Sequence, residues 1–394
     1  MEQQTNIRGT AVPTQQHIKS MHLKQIYLAT LRSGGISRAH LKQELHLSFP
    51  SVSALVDELL AQQILVESDD REAPERGRPR TLLRVNPGAL AIPVLVMTRE
   101  GYRYAVYDCA VNCLDEGFLP FDPDCIPAPN ERWYPSTQTL CDPLEDWSRR
   151  LADTRRIVDL LLVVPGTANQ TEGLSSSALQ MSAPGDFLSC LQEQTGWNII
   201  VQNNSDCMAY AEKNNRTLAE DFIYIYVGKG VGAGIIRSGK VFRNQGPRAG
   251  EIGHISIHYN GRTCSCGRKG CLEGYVSTDA ITQDSGLSSF HEVCTAYSAG
   301  TPAIVELLRE KALLLAVGVH NMLAMQPVSH VILGGNAPLL GPDFLAEVQT
   351  CLEQQCRTHK TTISYARTTS ESEPLGAVCN YLDHLMQMDR MLSK

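Results

Sequence analysis

Three cysteines and one histidine lie close together in the stretch GEIGHISIHYNGRTCSCGRKGCLEG. Cys264, Cys266 and Cys271 have the spacing C-x-C-x4-C, and His254 lies ten residues before the first of them. Three thiolates and one imidazole complete the tetrahedral ligand set of a structural zinc ion and leave no position for a catalytic water. The spacing therefore predicts a structural Zn2+ site. His258 is an alternative fourth ligand, and buried thiols without a metal are the alternative to the site as a whole.

The elements around this cluster follow an alternation of strands and helices that begins near residue 91. Short runs rich in β-branched and aromatic residues predict strands at AIPVLVM, YRYAVYD, IVDLLLVVPG, NIIVQNN, FIYIYVG and HVILGGN. Helices are predicted over 206–215 and 303–326, and the Pro-rich residues 125–141 predict an irregular insertion. This alternation indicates an α/β body with largely buried sheets.

Glycine-bearing turns follow three of these strands, at 164–169, 227–236 and 333–339. Backbone N–H groups in such turns can surround a phosphate, although each turn alone is also typical of a hairpin. Three of them in one α/β body predict a ligand cleft.

The N-terminal part of the chain predicts a separate DNA-binding head. Apolar spacing indicates a helix over 17–33, a second from the N-cap Ser37 through Leu45, and a third over 48–60 with Ser48 as its N-cap. The runs ILVE and TLLRV then predict a two-stranded wing. Three helices followed by a hairpin form the winged helix-turn-helix pattern, with ordinary helix packing as the alternative interpretation.

The sequence of this head predicts side chains for two kinds of DNA contact, those to base edges and those to the phosphate backbone. The start of the third helix would face base edges in the major groove, and phosphate contacts would come from outside that helix, which has no Lys or Arg. The segment RGRPR would suit a narrow A·T-rich minor groove, with a solvated linker as the alternative. The predicted DNA-binding residues are Arg38, Lys42, Phe49, Ser51, Ser53, Ala54, Arg76, Arg78 and Arg80.

Composition limits the class of the whole protein. The 394 residues exceed one ordinary domain, and 43% hydrophobic residues suffice for buried cores. The net charge of −7 excludes a protein that binds polyanions over its whole surface. The charge is uneven, however, because residues 1–90 hold 11 Lys/Arg and 9 Asp/Glu, whereas the rest of the chain holds 24 and 33, so the head is mildly basic and the body acidic. The N-terminal pattern is not that of a leader, and no apolar run reaches about 18 residues, so we predict a cytoplasmic protein without a membrane partner.

Two motifs of the body resemble the signature of the ROK family of repressors, open reading frames and sugar kinases. They are GEIGH at 250–254 and CSCGRKGCLE at 264–273. The resemblance extends to the repressor branch of that family through the helix-turn-helix residues, GRPRTLLRVNP, GKGVGAGII and VILGGN. It implies an α/β, two-lobed actin/hexokinase-like (ribonuclease H-like) sugar-kinase body behind a winged helix-turn-helix domain.

The resemblance also implies domain boundaries. Residues 1–88 would form the DNA-binding domain with its RGRPR segment, 89–204 the first lobe of the body, and 205–394 the second lobe with a zinc loop at 254–271.

The family's ligand-binding residues fall on named positions of this sequence. Its zinc ligands match the cysteines and histidine described above, and its sugar-contacting residues match Asn203, Glu251, His254 and Glu273, with Asn204 beside them. One ring nitrogen of His254 would then bind zinc and the other a sugar hydroxyl, because a metal-bound imidazole has a fixed orientation. Surface or salt-bridged carboxylates are the alternative for the two glutamates.

The resemblance to a kinase fails at three positions. The family's general base is an Asp after an Asn at a strand end, and VQNNSD places the amide of Asn204 there. The phosphate turn D-x-G-G-T is absent, since Val96 replaces its Asp and Thr98 and Arg99 replace its glycines. Lys229 lies within the second phosphate turn. We therefore predict that kinase activity is lost.

The sequence thus predicts a transcriptional regulator, a repressor of carbohydrate-use genes, that binds operator DNA and a sugar or sugar-phosphate effector. We expect a homodimer or a dimer of dimers, because half-sites lie about one helical turn apart or multiples of it. The alternatives are an active ATP-dependent ROK sugar kinase that carries a DNA-binding head, and a regulator that responds to a protein partner.

Overall fold

The computed structural model describes residues 14–72, 80–128, 131–169, 173–176, 178–215, 220–242, 250–355 and 360–392. The described chain divides into two compact units. The first holds the residues up to Ala91, with Asp108–Asn112 and the residues from Leu385 onward. The second holds Ile92–Tyr107 and Cys113–His384. The predicted boundaries at residues 88 and 204 stay a prediction.

The first unit begins with three helices and a hairpin: α1 (Gln15–Ser33), α2 (Arg38–Leu45), α3 (Phe49–Ala61), β1 (Leu65–Glu72) and β2 (Arg80–Val85). A hydroxyl begins each helix, because Thr14, Ser37 and Ser48 accept a hydrogen bond from the N–H three residues on. The strands pair antiparallel and extend beyond the runs ILVE and TLLRV. The predicted helices and wing are confirmed, and their order is that of a winged helix-turn-helix.

Apolar side chains and two long-range hydrogen bonds hold the first unit together. Leu23, Ile26 and Tyr27 of α1 are fully buried. The Tyr27 hydroxyl donates to the carbonyl of Cys109 at 2.6 Å, and Lys24 Nζ donates to that of Met386 at 3.0 Å. The turn 108–112 and the C-terminal segment therefore belong to the same packed unit as α1.

Two five-stranded sheets and one small sheet form the second unit. The first large sheet contains β3 (Ala91–Met97), β4 (Gly101–Asp108), β5 (Cys113–Pro120), β6 (Asp159–Val164) and β10 (Asn198–Asn203). The small sheet contains β7 (Thr167–Asn169), β8 (Gly173–Ser176) and β9 (Met181–Ala183). The second large sheet contains β11 (Phe222–Val227), β12 (Val231–Arg237), β13 (Lys240–Val241), β14 (His330–Gly335) and β15 (Thr362–Tyr365).

The two large sheets share one strand order. The first sheet, read from its β5 edge, has the order β5-β4-β3-β6-β10, and the second has the order β13-β12-β11-β14-β15. When the strands of each sheet are numbered 1 to 5 along the chain, both orders are 3-2-1-4-5. The fourth and fifth strands pair parallel in both sheets. This repeated order agrees with the ribonuclease H-like lobes that the resemblance implies, and the predicted two-lobed α/β body is confirmed.

Helices cover these sheets. They are α4 (Thr137–Cys141), α5 (Glu145–Thr154), α6 (Phe187–Thr195), α7 (Asn204–Asn215), α8 (Glu273–Val276), α9 (Thr278–Ser285), α10 (Phe290–Ser298), α11 (Pro302–Met325), α12 (Gly341–Gln355) and α13 (Glu373–Asn380), and α14 (Met388–Leu392) lies in the first unit. The helices predicted over 206–215 and 303–326 are confirmed by α7 and α11. Among the described helices, none combines the length and apolarity needed to cross a bilayer.

The glycine-bearing stretch 227–236 contains the turn between β11 and β12, which pair antiparallel. One predicted local feature differs from the structure. The insertion 125–141 is only partly irregular, since it contains α4 and the buried Trp133, whose N–H donates to the carbonyl of Gln180 at 2.8 Å.

Candidate functional site

The four predicted metal ligands come together at one point of the second unit. One ligand atom from each of His254, Cys264, Cys266 and Cys271 lies within 4.8 Å of all the others. The Nδ1 atom of His254 is 3.6 Å from Cys264 Sγ, and Cys266 Sγ is 3.7 Å from Cys271 Sγ. Ligand atoms at zinc bonding distances in a tetrahedron would lie about 3.5–3.8 Å apart. The group can therefore hold a metal ion.

Without a cation, two of the three thiols favour their protonated form. Burial, together with the neighbouring thiols, raises the pKa of Cys271 to about 12, and burial raises the pKa of Cys264, whereas, against the effect of burial, hydrogen bonds from Arg268 lower the pKa of Cys266. Several thiolates at this point are therefore unfavourable unless a positive ion lies between them. In the described part of the chain, the group contains His254 and not the alternative ligand His258, which is exposed.

The second ring nitrogen of His254 lies near Glu251, beside a cavity. Its Nε2 atom lies 3.7 Å from Glu251 Oε2, on the opposite side of the ring from Cys264. Both residues line a cavity of about 540 Å3, a size typical of small-molecule sites. All the predicted sugar-binding residues line this cavity: Asn203, Asn204, Glu251, His254 and Glu273.

Glu273 connects the cysteine loop to the hairpin of the second sheet. Its side chain is buried at the start of α8. The Oε2 atom accepts a hydrogen bond from the backbone N–H of Val231 at 3.0 Å, and Oε1 accepts one from the Ser265 hydroxyl at 3.2 Å. This carboxylate is thus held from both sides by the chain itself.

The two asparagines lie where β10 meets α7. Asn203 Nδ2 donates to the carbonyl of Gly166 at 3.0 Å, and its Oδ1 accepts from the N–H of Ser205 at 2.8 Å, which caps the helix. Asn204 is buried, and its side chain is hydrogen-bonded to Glu373. The amide that stands at the kinase base position therefore already has a carboxyl partner.

Sequence reasoning missed the pair of Arg103 and Glu373, which also lines the cavity beside Asn204. Arg103 Nη2 lies 2.7 Å from Glu373 Oε2 and also donates to the carbonyl of Ser370 at 3.1 Å. Both charged residues line the cavity. They are 270 positions apart in the chain, so no local motif indicates the pair.

The stability of the second unit is expected to fall as pH rises toward neutrality because of Glu373. Burial raises the pKa of this carboxyl to about 7, against the lowering effect of Arg103 and Asn204. Between pH 4.5 and pH 7, Glu373 therefore keeps its proton in the folded chain, whereas in the unfolded chain it loses that proton near its ordinary pKa of 4.5. The stabilisation is complete below about pH 4.5 and is lost as pH rises through about 7, roughly 3 kcal/mol between pH 5 and pH 8.

Urea unfolding at several pH values measures this dependence through fluorescence, because the tryptophans Trp133, Trp147 and Trp197 all belong to the second unit. The variant Glu373→Gln should lose this part of the pH slope, and the exposed Glu371→Gln should keep it. Equal slopes in the wild type and Glu373→Gln would contradict the assignment.

The predicted base-reading side chains lie at the start of α3. Phe49, Ser51 and Ala54 are exposed there, with 48% of Phe49 accessible, and Ser53 is half-buried. Lys42 is exposed in the last turn of α2. Their contacts with DNA stay a prediction.

Of the predicted phosphate-binding arginines, only Arg38 has a described side chain. Arg38 is engaged within the head, where Nη1 lies 2.8 Å from Asp57 Oδ1 and Nη2 lies 3.5 Å from Glu67 Oε1. Arg76 and Arg78 lie outside the described residues, as does the side chain of Arg80, whose backbone begins β2.

Together these features define a sugar-kinase-like, two-lobed α/β body with an N-terminal winged helix-turn-helix unit. The chain belongs to the ROK family, whose model matches residues 132–381, more than half of its length. It is 24% identical over 378 residues to the xylose repressor of Caldicellulosiruptor bescii, a similarity that covers 89% of this chain and 92% of that protein.

Solved structures share the fold. The crystal structure of a ROK family transcriptional regulator, described as a homologue of the E. coli MLC protein, has a TM-score of 0.80 at 20% identity and covers 95% of this chain and 99% of its own. The ROK hexokinase from Thermus thermophilus has a TM-score of 0.60 at 22% identity and covers 75% and 99%.

Proposed function

We propose that this protein is a sequence-specific DNA-binding transcriptional regulator, a repressor of carbohydrate-use genes, whose body binds a sugar or sugar-phosphate effector. The observation that carries the proposal is the assembly of all the predicted sugar-binding residues around one cavity, in a chain that also has a winged helix-turn-helix unit. The repressor name of the Caldicellulosiruptor relative supports it.

The chemistry of the cavity suits a polyol. The carboxylates of Glu251 and Glu273 can accept hydrogen bonds from vicinal hydroxyls, and His254 Nε2 can make a third contact. A zinc ion held by His254 Nδ1 and the three cysteines would supply no reaction; it would fix the orientation of this imidazole and of the loop that carries both glutamates.

We infer that phosphoryl transfer is lost. The Asn204 amide cannot take a proton from a sugar hydroxyl. Where the family's kinases have the phosphate turn D-x-G-G-T, Arg99 occupies a glycine position and its guanidinium is hydrogen-bonded to four backbone carbonyls. The second glycine turn joins two paired strands, which supports a structural role for it.

Operator binding would use the start of α3 in the major groove and the RGRPR segment in the minor groove. A homodimer or dimer of dimers would place two heads on two half-sites in the cytoplasm. Effector binding in the body would change operator affinity through a coupling free energy of about 1–3 kcal/mol.

A panel of hexoses, pentoses and N-acetylhexosamines, with their phosphates, tests this function. At least one compound, with D-xylose, D-glucose and N-acetyl-D-glucosamine as the first probes, should raise the melting temperature. The same compound should change retention of an operator selected from random duplexes by roughly 5- to 150-fold. A coupled assay with ATP should show no turnover, even in Asn204→Asp, because the phosphate turn is also missing.

Two results would favour the alternatives, a sugar kinase or a regulator that responds to a protein partner. Sugar-dependent ATP turnover that disappears in Glu251→Ala would identify a kinase. A panel in which no compound raises the melting temperature would favour a protein signal.

A further inference from the structure

We infer that Arg99 is a positioning residue for the sugar cavity, because its guanidinium holds the turn 178–180 that forms one wall. This inference rests on the proposed function, since the position of the wall matters only if the cavity binds an effector. It gives a role to an arginine that stands where the resemblance to a kinase requires a glycine.

The contacts of Arg99 join two separate segments of the chain. Its Nη1 donates to the carbonyl of Leu179 at 2.8 Å. Its Nη2 donates to the carbonyls of Ala128 and Glu131, both at 2.9 Å, and approaches that of Pro127 at 3.3 Å. All four acceptors belong to the main chain, so the guanidinium fixes backbone positions and not side-chain rotamers.

The turn held in this way faces the predicted sugar site. Ala178 and Leu179 line the cavity. A Cβ atom added to Gly230 would lie 2.8 Å from Ala178 Cβ and 3.3 Å from Glu273 Oε2. The turn is therefore packed against the hairpin of the second sheet, next to one of the predicted sugar carboxylates, and a small displacement of it would change the shape of the cavity there.

Other bonds secure the ends of the turn. The N–H of Leu179 donates to Ser176 Oγ at 3.0 Å, and the carbonyl of Gln180 accepts from Trp133 N–H at 2.8 Å. Because these bonds remain without Arg99, its removal should loosen the wall without unfolding it. Thr98 is among the described lining residues and Arg99 is not, so Arg99 acts from behind the wall.

The geometry requires an arginine and not merely a positive charge. A planar guanidinium offers five N–H donors in a fixed fork, whereas an ammonium offers three on a flexible stem. A lysine at this position could reach one or two of the four carbonyls.

The variants Arg99→Gln and Arg99→Lys test the inference, with Arg132→Gln as the matched control. Arg132 lies in the same neighbourhood, is exposed, and donates to Ser182 Oγ at 2.8 Å, away from the turn carbonyls. Calorimetry with the panel sugar that stabilises the wild type measures affinity, and hydrogen exchange measures opening of the backbone amides of 178–180.

Arg99→Gln should weaken sugar binding about tenfold or more and speed exchange at 178–180. Arg99→Lys should fall between Arg99→Gln and the wild type, and Arg132→Gln should match the wild type. The melting temperature without sugar should fall by several degrees in Arg99→Gln, because its bonds to main-chain carbonyls are lost, and should stay unchanged in Arg132→Gln. Operator retention without sugar should change little in all three variants.

Unchanged sugar affinity in Arg99→Gln would overturn the inference, whatever the exchange rates. So would a parallel loss of sugar affinity, operator retention and melting temperature, which would indicate a general structural role. A wild-type chain that binds no sugar of the panel would refute the proposed function itself, and the two failures are thus distinguishable.

Discussion

Replacing Cys266 with serine is expected to lower the melting temperature of the second unit by roughly 10 °C or more and to remove the sugar response in the same variant. Structural zinc contributes about 10–16 kcal/mol of apparent binding free energy in zinc-finger peptides, and that energy counts as folding energy wherever the site forms only in the folded chain. Loss of one thiolate would weaken the site and leave Cys264 and Cys271 buried without a compensating cation.

The loss of sugar response follows from the position of the loop. Glu251 lies three residues before His254, and Glu273 lies two residues after Cys271. Ser265, between two of the cysteines, donates to Glu273 Oε1. Without the metal, the imidazole loses the contact on its Nδ1 side, and its orientation toward Glu251 is no longer fixed. Glu273 keeps the bond from Val231 N–H but loses the support of an ordered cysteine loop through Ser265, so the predicted sugar ligands change their geometry together.

Metal content, melting temperature and sugar affinity are measured on one preparation of each variant. Cys125→Ser is the matched control, because Cys125 is exposed, belongs to the short turn Pro123–Cys125 and is not part of the cluster. Chelation of the wild type should reproduce the effect of Cys266→Ser, and added Zn2+ should reverse it only in the wild type. A variant that loses stability while its folded fraction keeps full sugar affinity would show that the metal is remote from the signal.

The features that the sequence predicts well depend on residues close together in the chain. The metal ligands span eighteen positions with glycines among them, and the helices of the head begin at hydroxyl caps followed by apolar spacing. Local chemistry decides these elements. The buried strands of the body were also predictable, because strands covered on both faces read as continuous apolar runs.

The features that the sequence does not predict depend on distant packing. Strand β5 is exposed along nearly its whole length, so CLDEGFLP carries no apolar pattern. The glycines of β12 resemble a phosphate turn, yet a Cβ at Gly234 would collide with the carbonyl oxygen of Ser205 in α7, and glycine there permits the helix to lie against the strand. Arg38 reads as a DNA contact, but its pairing with Asp57 and Glu67 appears only when the head is folded.

The two predicted sugar carboxylates are expected to respond differently to the same substitution. Glu251→Gln should weaken sugar binding by about 10- to 100-fold with little change in stability, since a hydrogen bond to a charged group contributes about 1.5–3 kcal/mol. The Glu251 side chain is 33% exposed, and its carboxylate lies 3.7 Å from His254 Nε2. The amide keeps the size of the side chain, removes the charge and replaces one acceptor oxygen with an NH2 donor.

Glu273→Gln should instead lower sugar affinity and stability together. Both carboxylate oxygens of Glu273 accept hydrogen bonds from the chain, from Val231 N–H and from the Ser265 hydroxyl. A glutamine has one acceptor oxygen, so its NH2 group would face one of these donors in a buried site, at a cost of about 1–3 kcal/mol. The same substitution at the exposed Glu193 of α6 serves as the control for both variants.

Calorimetry with the stabilising sugar and urea unfolding followed by tryptophan fluorescence separate the two effects. If Glu251→Gln binds sugar like the wild type while Glu273→Gln does not, the effector is held from the buried side of the cavity alone, and Glu251 serves only to orient His254. If both variants keep wild-type affinity, the two predicted carboxylates do not hold the effector, and the predicted sugar site is wrong. The pair of variants therefore tests where the ligand lies as well as whether it binds.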